Sequence, residues 1–397
     1  MKKRFLRDIA EIQTGPFGSQ LHKEDYVDVG TPIVTVEHLG SRVFSEQNLP
    51  MVSDADKSRL SKYVLKKGDI VFSRVGSVDR CSFVDQKHDG WMFSGRCLRV
   101  RPSEEVEPLF LYYFFCLNAT KEFVRSIAVG ATMPSINTKL LGEVEVVCPG
   151  IEEQRKIADI LSKIDDKIEE NQKINENLQQ QAQALFKSWF LNYEPWNGTA
   201  PNSWLHGKLG DYANIKRGGS PRPIQEYLSD SGLRWLKISD VTGLQTPFII
   251  DIKDHIIEEG LKKTVFLKAG SLVLSNSATP GIPKILDVDS CIHDGWLYFP
   301  ESKFSNEYLY LYFKYIRQQL VNLSNGSVFN NLKTDILKGY PTILPDEETL
   351  QRFDGIIKPM FLQMQNITRE SHDLMDLRDT ILPRLMSGEL DVSGIQL

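Results

Sequence analysis

The side chains best suited to chemistry in this chain are cations and small polar groups on loops shaped by glycine and proline. The clearest loop, residues 215–223, carries Lys216, Arg217, Ser220 and Arg222 and contains no acid. Lysine and arginine bind phosphates, arginine also binds guanine O6 and N7, and glycines let the backbone approach a ligand closely. This loop is therefore a candidate DNA-binding element.

Residues 14–20 form a comparable loop near the N-terminus, but this loop is neutral. Its candidate contacts are Ser19 and Gln20. For both loops the alternative interpretation is an ordinary turn after a strand, because glycine and proline also mark plain turns.

A second pair of loops follows two apolar segments that are predicted to be buried strands. Loop 74–80 offers Arg74, Ser77 and Arg80, and loop 276–284 offers Asn276, Ser277 and Lys284. Polar side chains at the end of a buried strand are held firmly, which favours base readout. The two loops differ in sequence, as domains that read different bases require, although ordinary loop divergence would give the same difference.

A third pair of loops carries asparagine together with lysine. Loop 130–139 offers Thr132, Asn137 and Lys139, and loop 326–333 offers Asn330, Asn331 and Lys333. Asparagine can bond adenine through two hydrogen bonds, and lysine can bind phosphate. The alternative is a simple helix-to-strand connection.

Catalytic and metal chemistry is not predicted for this chain. His-Asp pairs at 88–89 and 293–294 precede Gly-Trp, but no third ligand recurs with them, so a turn with a core tryptophan is expected. The sequence contains no phosphate-binding GxxxxGK[ST] loop, no [DNS]PP[YF] motif and no glycine-rich cofactor fingerprint. We therefore expect a non-enzymatic chain without a cofactor or metal of its own.

Internal repeats show that the chain is a duplication. LxDxAxI at 6–12 recurs at 209–215, GDIVFS at 68–73 corresponds to GSLVLS at 270–275, and HDGW at 88–91 returns at 293–296. The offset between matches drifts by only a few residues, as loop insertions produce. Each half is predicted to be a globular domain followed by a long helix.

The first long helix, residues 151–192, lacks glycine and proline and has apolar residues at heptad spacing. One row contains Ile157, Ile164, Leu178 and Leu185, the other contains Leu161, Ile168, Ala182 and Trp189, and Asn171 and Asn175 fill the gaps. Residues 347–386 repeat the pattern, so an antiparallel coiled coil is predicted. It would place the globular domains at opposite ends of a rod with pseudo-twofold symmetry. Two unrelated surface helices are the alternative, and the asparagines are expected to fix register.

The predicted fold class is α+β, with two similar α/β domains separated by two long helices. The predicted order is domain 1–150, helix 151–192, linker 193–205, domain 206–346, helix 347–387 and tail 388–397. Asp346 is a candidate N-cap, Gly388 a candidate C-cap, and Pro383 is expected to kink or end the last turn.

Composition limits the location and the partners. The chain has 397 residues, 41% of them hydrophobic, and no apolar run of the roughly 18–20 residues that span a membrane. Its five cysteines are widely spaced and its N-terminus lacks an apolar signal region, so a reducing cytoplasm is expected. The net charge of −5 argues mildly against DNA binding, but the acids concentrate in residues 152–176 and 347–379.

Three segments resemble the specificity subunits of type I restriction-modification systems. They are PGIEEQRKIADI at 149–160, LQQQAQALFKSWF at 178–190 and LRDTILPRLMSGEL at 377–390. The resemblance covers essentially the whole chain. The start of the second helix, PDEETLQRFDGII at 345–357, departs from the PxxEEQ pattern of the first.

The resemblance implies that the globular halves are target recognition domains, each reading one half of a split double-stranded DNA site. The paired helices would set the unread spacer and dock two modification (methyltransferase) subunits that methylate adenine. S-adenosylmethionine would be bound by those subunits rather than by this chain, and restriction motor subunits are potential further partners. Two alternatives remain: a coiled-coil DNA-binding scaffold or regulator without a methyltransferase, and a diverged catalytic subunit of another modification enzyme.

Overall fold

The computed structural model describes residues 2–16, 18, 20–324 and 331–394. Contacts divide the chain into two units, residues 1–166 with 374–397, and residues 167–373. Each unit contains a sheet-rich body and one part of each long helix.

The helices agree well with the sequence-based expectation. They are α1 (Leu6–Ile9), α2 (Asp54–Arg59), α3 (Pro108–Cys116), α4 (Asn118–Ser126), α5 (Thr138–Gly142), α6 (Ile151–Phe190), α7 (Leu209–Tyr212), α8 (Asn306–Ser324), α9 (Thr334–Lys338) and α10 (Glu347–Ser387). The two long helices predicted from heptad spacing are both present, as α6 and α10. Across the described ranges, none of the helices combines the length and the apolar character needed to cross a bilayer.

The strands are short, and most contain four residues or fewer. In the first half they are β1 (Lys2–Phe5), β2 (Ala10–Thr14), β3 (Tyr26–Val27), β4 (Thr31–Val34), β5 (Met51–Val52), β6 (Ile70–Ser73), β7 (Cys81–Phe83), β8 (Met92–Phe93), β9 (Cys97–Pro102) and β10 (Glu145–Cys148). In the second half they are β11 (Leu205–Lys208), β12 (Ala213–Arg217), β13 (Leu228–Ser229), β14 (Leu233–Leu236), β15 (Phe248–Ile249), β16 (His255–Ile256), β17 (Val265–Leu267), β18 (Leu272–Ser275), β19 (Pro283–Leu286), β20 (Ser290–Ile292), β21 (Trp296–Ser302) and β22 (Pro341–Leu344).

The two bodies share one sheet topology, which confirms the duplication. The first has sheets in the order β2-β9-β6-β7 and β3-β5-β4-β8 and a β1-β10 ribbon. The second has β12-β21-β18-β19-β15, β13-β16-β14-β20-β17 and a β11-β22 ribbon. The β4–β8 and β14–β20 pairs are both parallel. The second body therefore repeats the first and adds β15 and β17 at the sheet edges.

Two inner strands, β6 and β18, are buried on both faces. In β6, Ile70 and Phe72 pack with the helices, whereas Val71 packs with the strands of the second sheet. In β18, Leu272 and Leu274 pack with the helices, whereas Val273 faces the other cluster. Side chains alternate across a strand, so an uninterrupted apolar run is needed to fill both layers.

The two His-Asp-Gly-Trp tetrapeptides are not structurally equivalent, which corrects the sequence alignment at this point. Ser73 pairs with Cys97, and its counterpart Ser275 pairs with Trp296. Trp296 therefore corresponds to Cys97 rather than to Trp91, which precedes β8. The expected core position holds fully for Trp296, whereas Trp91 is only partly buried.

In the first unit the long helices contact each other through a buried apolar cluster and through an ion pair between Asp165 and Arg378. Ile157 and Leu161 of α6 belong to the same buried cluster as Leu385 of α10. One turn further along α6, the buried Asp165 accepts hydrogen bonds from the Tyr113 hydroxyl at 2.7 Å and from Arg378 at 2.8 Å.

In the second unit the same two helices pair through asparagines and then aromatic rings. Asn171 donates to Glu370 at 2.9 Å, Asn175 donates to the Thr368 hydroxyl at 3.2 Å, and the Phe190 and Phe353 rings lie 4.7 Å apart. Residue numbers rise along one helix as they fall along the other, which confirms antiparallel pairing in this unit. Towards the end of α6, Phe186 and Phe190 are buried in place of the predicted neighbours Leu185 and Trp189. A helix of 3.6 residues per turn drifts in this way from a strict heptad.

The predicted caps are present at the ends of α10. Asp346 Oδ1 accepts the Thr349 N–H at 2.9 Å, which satisfies a free donor of the first turn. Gly388 has φ +76°, and the Leu390 N–H bonds the Arg384 carbonyl at 3.1 Å, so the helix ends in a left-handed C-cap. Pro383 does not end the helix, which continues to Ser387, and α6 ends two residues before the predicted position 192.

The segment predicted as a linker, residues 193–205, is folded. Trp204 is 4% exposed, and its ring lies 5.0 Å from Trp196 and 5.8 Å from Phe190. Trp196 in turn contacts Trp189 at 5.8 Å, and Leu205 already begins β11. Proline and glycine in this segment mark turns, but the tryptophans pack it against the end of α6.

Candidate nucleic-acid interface

Each half contains a turn on which the predicted loops converge. In the first half it is residues 94–96, between β8 and β9, and in the second half it is residues 293–295, between β20 and β21. We call these two segments the central turns. They are equivalent because the residues that follow them, Cys97 and Trp296, pair with equivalent serines.

A glycine presses the first loop of each half against its central turn. A Cβ on Gly15 would lie 2.1 Å from the Ser94 carbonyl oxygen, and one on Gly218 would lie 2.4 Å from the His293 carbonyl oxygen. Both distances are too short for any side chain. Only glycine permits this close approach, so these two residues fix the position of the loops.

Backbone hydrogen bonds join the second and third loops to the same place in both halves. The N–H of Arg74 donates to the Arg96 carbonyl at 2.8 Å, and the Ile136 N–H donates to the Arg74 carbonyl at 2.9 Å. The second half repeats both bonds, with 2.8 Å from the Asn276 N–H to the Gly295 carbonyl and 2.8 Å from the Leu332 N–H to the Asn276 carbonyl. In each half the first and second loops and the described part of the third loop therefore meet around the central turn.

In the first half this arrangement presents cations. Arg74 donates from Nη1 to the Gly95 carbonyl at 3.1 Å, so its side chain lies across the central turn. Arg80 and Ser77 are exposed, and so is Arg96, which the sequence analysis did not select. Thr132 is exposed in the third loop.

Other predicted residues of the first half have local partners. Gln20 accepts a hydrogen bond from the Tyr63 hydroxyl at 2.7 Å. Asn137 is the N-cap of α5, because its Oδ1 accepts the Leu140 N–H at 2.9 Å, and Lys139 is exposed in the same helix. Ser19 lies outside the described residues.

In the second half, three predicted residues converge on Asp294 of the central turn. Ser220 Oγ donates to Asp294 Oδ1 at 2.8 Å, and the Arg222 guanidinium lies 3.4 Å from Oδ2. The Arg217 Nε–H donates to the Asp294 carbonyl at 2.5 Å, and its Nη2 lies 3.7 Å from Oδ2. The neighbouring Lys216 is exposed.

Asn276 joins the same cluster from the second loop. It is 3% exposed, and its Nδ2 donates to the Asp294 carbonyl at 3.2 Å. Ser277 is half-buried beside it. In the third loop Asn331 is half-buried and Lys333 is exposed, whereas Asn330 lies outside the described residues.

Lys284 is a correction to the predicted interface. The residue is 4% exposed in β19, where its ammonium donates to the Leu244 carbonyl at 2.6 Å and to the Thr246 carbonyl. Burial lowers the pKa of Lys284 to about 7. A lysine enclosed by backbone carbonyls does not reach a phosphate, so we remove it from the candidate interface.

The charged groups that surround Asp294 shift the pKa values of the second central turn. Burial raises the pKa of Asp294, but the Ser220 hydrogen bond and the charges of His293, Arg217 and Arg222 outweigh it, so the carboxyl pKa lies below its usual value. Burial lowers the pKa of His293, and the arginines add to that effect.

Sequence reasoning missed the central turns themselves. The tetrapeptide at 293–296 was interpreted only as a turn, and residues 94–96 were not considered. The match between the two tetrapeptides aligned 293–296 with 88–91 and so concealed the equivalence of 293–295 with 94–96.

Comparison with known proteins places the chain in a family. The family model for the type I restriction modification DNA specificity domain matches residues 1–180 and 201–366. The chain belongs to this family. The two matched segments are the two halves of the duplication.

Curated relatives agree along most of the chain. The type I restriction enzyme MjaIX specificity subunit of Methanocaldococcus jannaschii is 25% identical over 98% of this chain and 93% of its own length. The HindI specificity subunit of Haemophilus influenzae is 25% identical over 83% of this chain and 88% of its own length. These are similar proteins at a distance where loop residues need not correspond.

A solved structure shows the same fold. The S subunit of a type I restriction-modification system from M. genitalium aligns with a TM-score of 0.64 and 17% identity, over 97% of this chain and 95% of that chain. As a specificity subunit, the present chain is a non-catalytic, DNA-recognising component that acts in a restriction-modification complex with DNA and other subunits.

Proposed function

We propose that each sheet-rich body reads one half of a bipartite DNA target through the loops around its central turn. The observation that carries the proposal is a backbone arrangement present in both halves with different side chains on it. Arg74 and Arg96 occupy the positions that Asn276 and Gly295 occupy in the second half. Two domains that recognise different DNA sequences require such a shared backbone arrangement with different side chains on it.

The paired helices serve as the spacer and as the docking surface for two modification subunits. Antiparallel pairing within each unit supports the spacer role, because it makes both helices rigid where they support a body. The modification subunits supply S-adenosylmethionine and transfer its methyl group to adenine, and restriction motor subunits join the same assembly. The complex works in the cytoplasm, where it meets the DNA.

The isolated chain binds DNA weakly and with strong salt dependence. Its net charge of −5 repels phosphates at long range, and only the loop cations attract them. The modification subunits add much of the affinity. Tight binding by the chain alone that resists salt would contradict this part of the proposal.

The decisive experiment is a methylome of cells that express this chain with its modification subunits. We expect one split motif with a methylated adenine in each half. Exchanging residues 1–150 for the first domain of another family member should change one half-site and leave the other intact. A change in both half-sites would show that the bodies do not read independently.

A further inference from the structure

We propose that Asp294 is a positioning residue that fixes Arg217 and Arg222 for base readout by the second body. The inference rests on the proposed function and adds a specificity determinant to it. Asp294 was not among the residues expected to contact DNA, and here it acts through its neighbours rather than by touching a base.

The geometry around Asp294 leaves its carboxylate little freedom. Ser220 Oγ donates to Oδ1 at 2.8 Å, and the Asp294 N–H returns a bond to Ser220 Oγ at 3.2 Å. His293 Nδ1 accepts the Gly295 N–H at 2.9 Å, and His293 Nε2 lies 3.0 Å from Asp294 Oδ1. The reciprocal bonds with Ser220 thus hold the carboxylate before any DNA arrives.

The held carboxylate in turn limits the two arginines. Arg217 is anchored by its Nε–H to the Asp294 carbonyl, and its Nη2 lies near Oδ2. Arg222 approaches the same Oδ2 with 77% of its side chain exposed. Each guanidinium therefore keeps N–H groups for a ligand, Arg217 is held in place by its Nε–H bond, and Arg222 is directed towards the same carboxylate. Ordering these side chains before binding reduces the entropy lost on contact.

An acid at this position opposes phosphate binding, which is why its presence needs a functional reason. The first loop of the second half carries three cations, Lys216, Arg217 and Arg222, and Asp294 offsets part of their charge. In the first half the central turn is Ser94, Gly95 and Arg96 and contains no acid. Asp294 thus weakens the general attraction of this loop to the DNA backbone, but it gives the guanidinium groups of Arg217 and Arg222 a defined direction.

The test variant is Asp294→Asn, which keeps the side-chain size and removes the charge. We expect discrimination against single base-pair changes in the second half-site to fall about tenfold, because each arginine–guanine pair contributes strongly to base choice. Binding to unrelated duplex should rise by about twofold and become more salt-dependent, since one negative charge is gone. Duplexes that differ at single positions, titrated with the assembled complex, measure both effects.

Opposite changes in specific and general binding distinguish positioning from mere structural damage. A damaged fold would lower both affinities together and reduce the melting temperature. The matched control is Asp289→Asn in the same body. The Asp289 carboxylate pairs with the exposed Lys268 and accepts a hydrogen bond from the Ala269 N–H. This control should leave discrimination in the second half-site unchanged.

Ser220→Ala provides a second test that spares the charge. It removes the donor to Oδ1, so it should weaken discrimination at the same base positions by a smaller factor. The first half-site should stay unchanged in both variants. If Asp294→Asn and Ser220→Ala both fold and retain wild-type discrimination, the positioning role is refuted.

The outcome separates this inference from the proposed function. A wild-type methylome with a split motif, together with unaltered discrimination in the Asp294 variant, would overturn only the role of Asp294. A wild-type complex that reads no bipartite site would overturn both.

Discussion

Lys284 shows how burial changes the role of a single residue. Its side chain points into the second body, and its ammonium is held by two backbone carbonyls with no carboxylate recorded as its partner among the described residues. Burial lowers its pKa from the usual value to about 7. Above pH 7 the folded chain releases this proton, whereas the unfolded chain keeps it until about pH 10.

The consequence is a pH-dependent contribution to stability. Between pH 7 and about 10 the unfolded state binds more protons, so the contribution of Lys284 to the free energy of unfolding rises with pH. Lys284→Met removes this contribution. Thermal melts should show the melting temperature of the variant falling relative to wild type by roughly 2–4 °C from pH 6.5 to pH 9. Lys268→Met, at an exposed lysine of the same body, is the control and should show no such trend.

At the scale of residues, the sequence suggested candidate DNA contacts but not the contacts among them. Arg217, Ser220 and Arg222 were predicted as DNA-binding residues, and the structure shows that all three lie against Asp294. Lys284 could not be excluded, because its direction depends on strand register. Which side chains touch bases remains a prediction.

At the scale of elements, the middle of the helix pairing is polar. Asn175 is 8% exposed and its Nδ2 bonds Thr368, but its Oδ1 has no partner among the described residues. A buried acceptor without a donor costs about 1–3 kcal/mol. The asparagine therefore lowers stability, which is the usual cost of a polar residue that fixes register.

The prediction for this element is that Asn175→Leu stabilises the second unit by about 1 kcal/mol. Removing the unsatisfied acceptor and burying an apolar side chain both favour the folded state. Urea denaturation followed by circular dichroism measures the change. Asn177→Leu, on an exposed position of the same helix, should differ from wild type by less than about 0.5 kcal/mol. A destabilised Asn175 variant would mean that its oxygen has a partner in solution.

Heptad spacing predicted the long helices well, because the apolar residues through which they pair recur at a regular spacing within each helix. Helix α10 begins at the predicted residue and ends at the predicted C-cap. The short strands were harder to place, since pairing between distant segments decides them. Residues 193–205 were predicted as a linker from their composition, but their packing was not predictable, because Trp196 and Trp204 have partners that only the fold brings near.

At the scale of the whole molecule, the spacer hypothesis predicts the effect of a paired deletion. The contacts of Asn171 with Glu370 and of Asn175 with Thr368 set the pairing register, so the deletion of residues 167–173 from α6 is matched with the deletion of residues 370–376 from α10. Removing both heptads keeps the flanking pairs in register. It shortens the helices by about 10 Å, the length of about three base pairs.

We expect this variant to methylate a motif with the same bases in each half and a shorter unread spacer. Removing residues 167–173 alone should instead disturb pairing and reduce methylation. Methylome sequencing reads both outcomes directly. Altered base preference with an unchanged spacer would show that the helices do not set the distance.

The duplication was predictable from sequence because its repeats are spread along both halves. Its precise alignment was not, since identical His-Asp-Gly-Trp tetrapeptides lie at different places in the two sheets. Strand pairing, rather than letter identity, shows which residues correspond. The same correction revealed the central turns.

The packed segment after α6 also provides an optical signal. Three of the six tryptophans, Trp189, Trp196 and Trp204, form a chain of ring contacts there, 5.8 and 5.0 Å apart. Their emission reports whether these ring contacts persist, and quenchers in solution should reach Trp204 least of these three, because it is 4% exposed. Intrinsic fluorescence can thus follow the junction between α6 and the second body during assembly, without any attached dye.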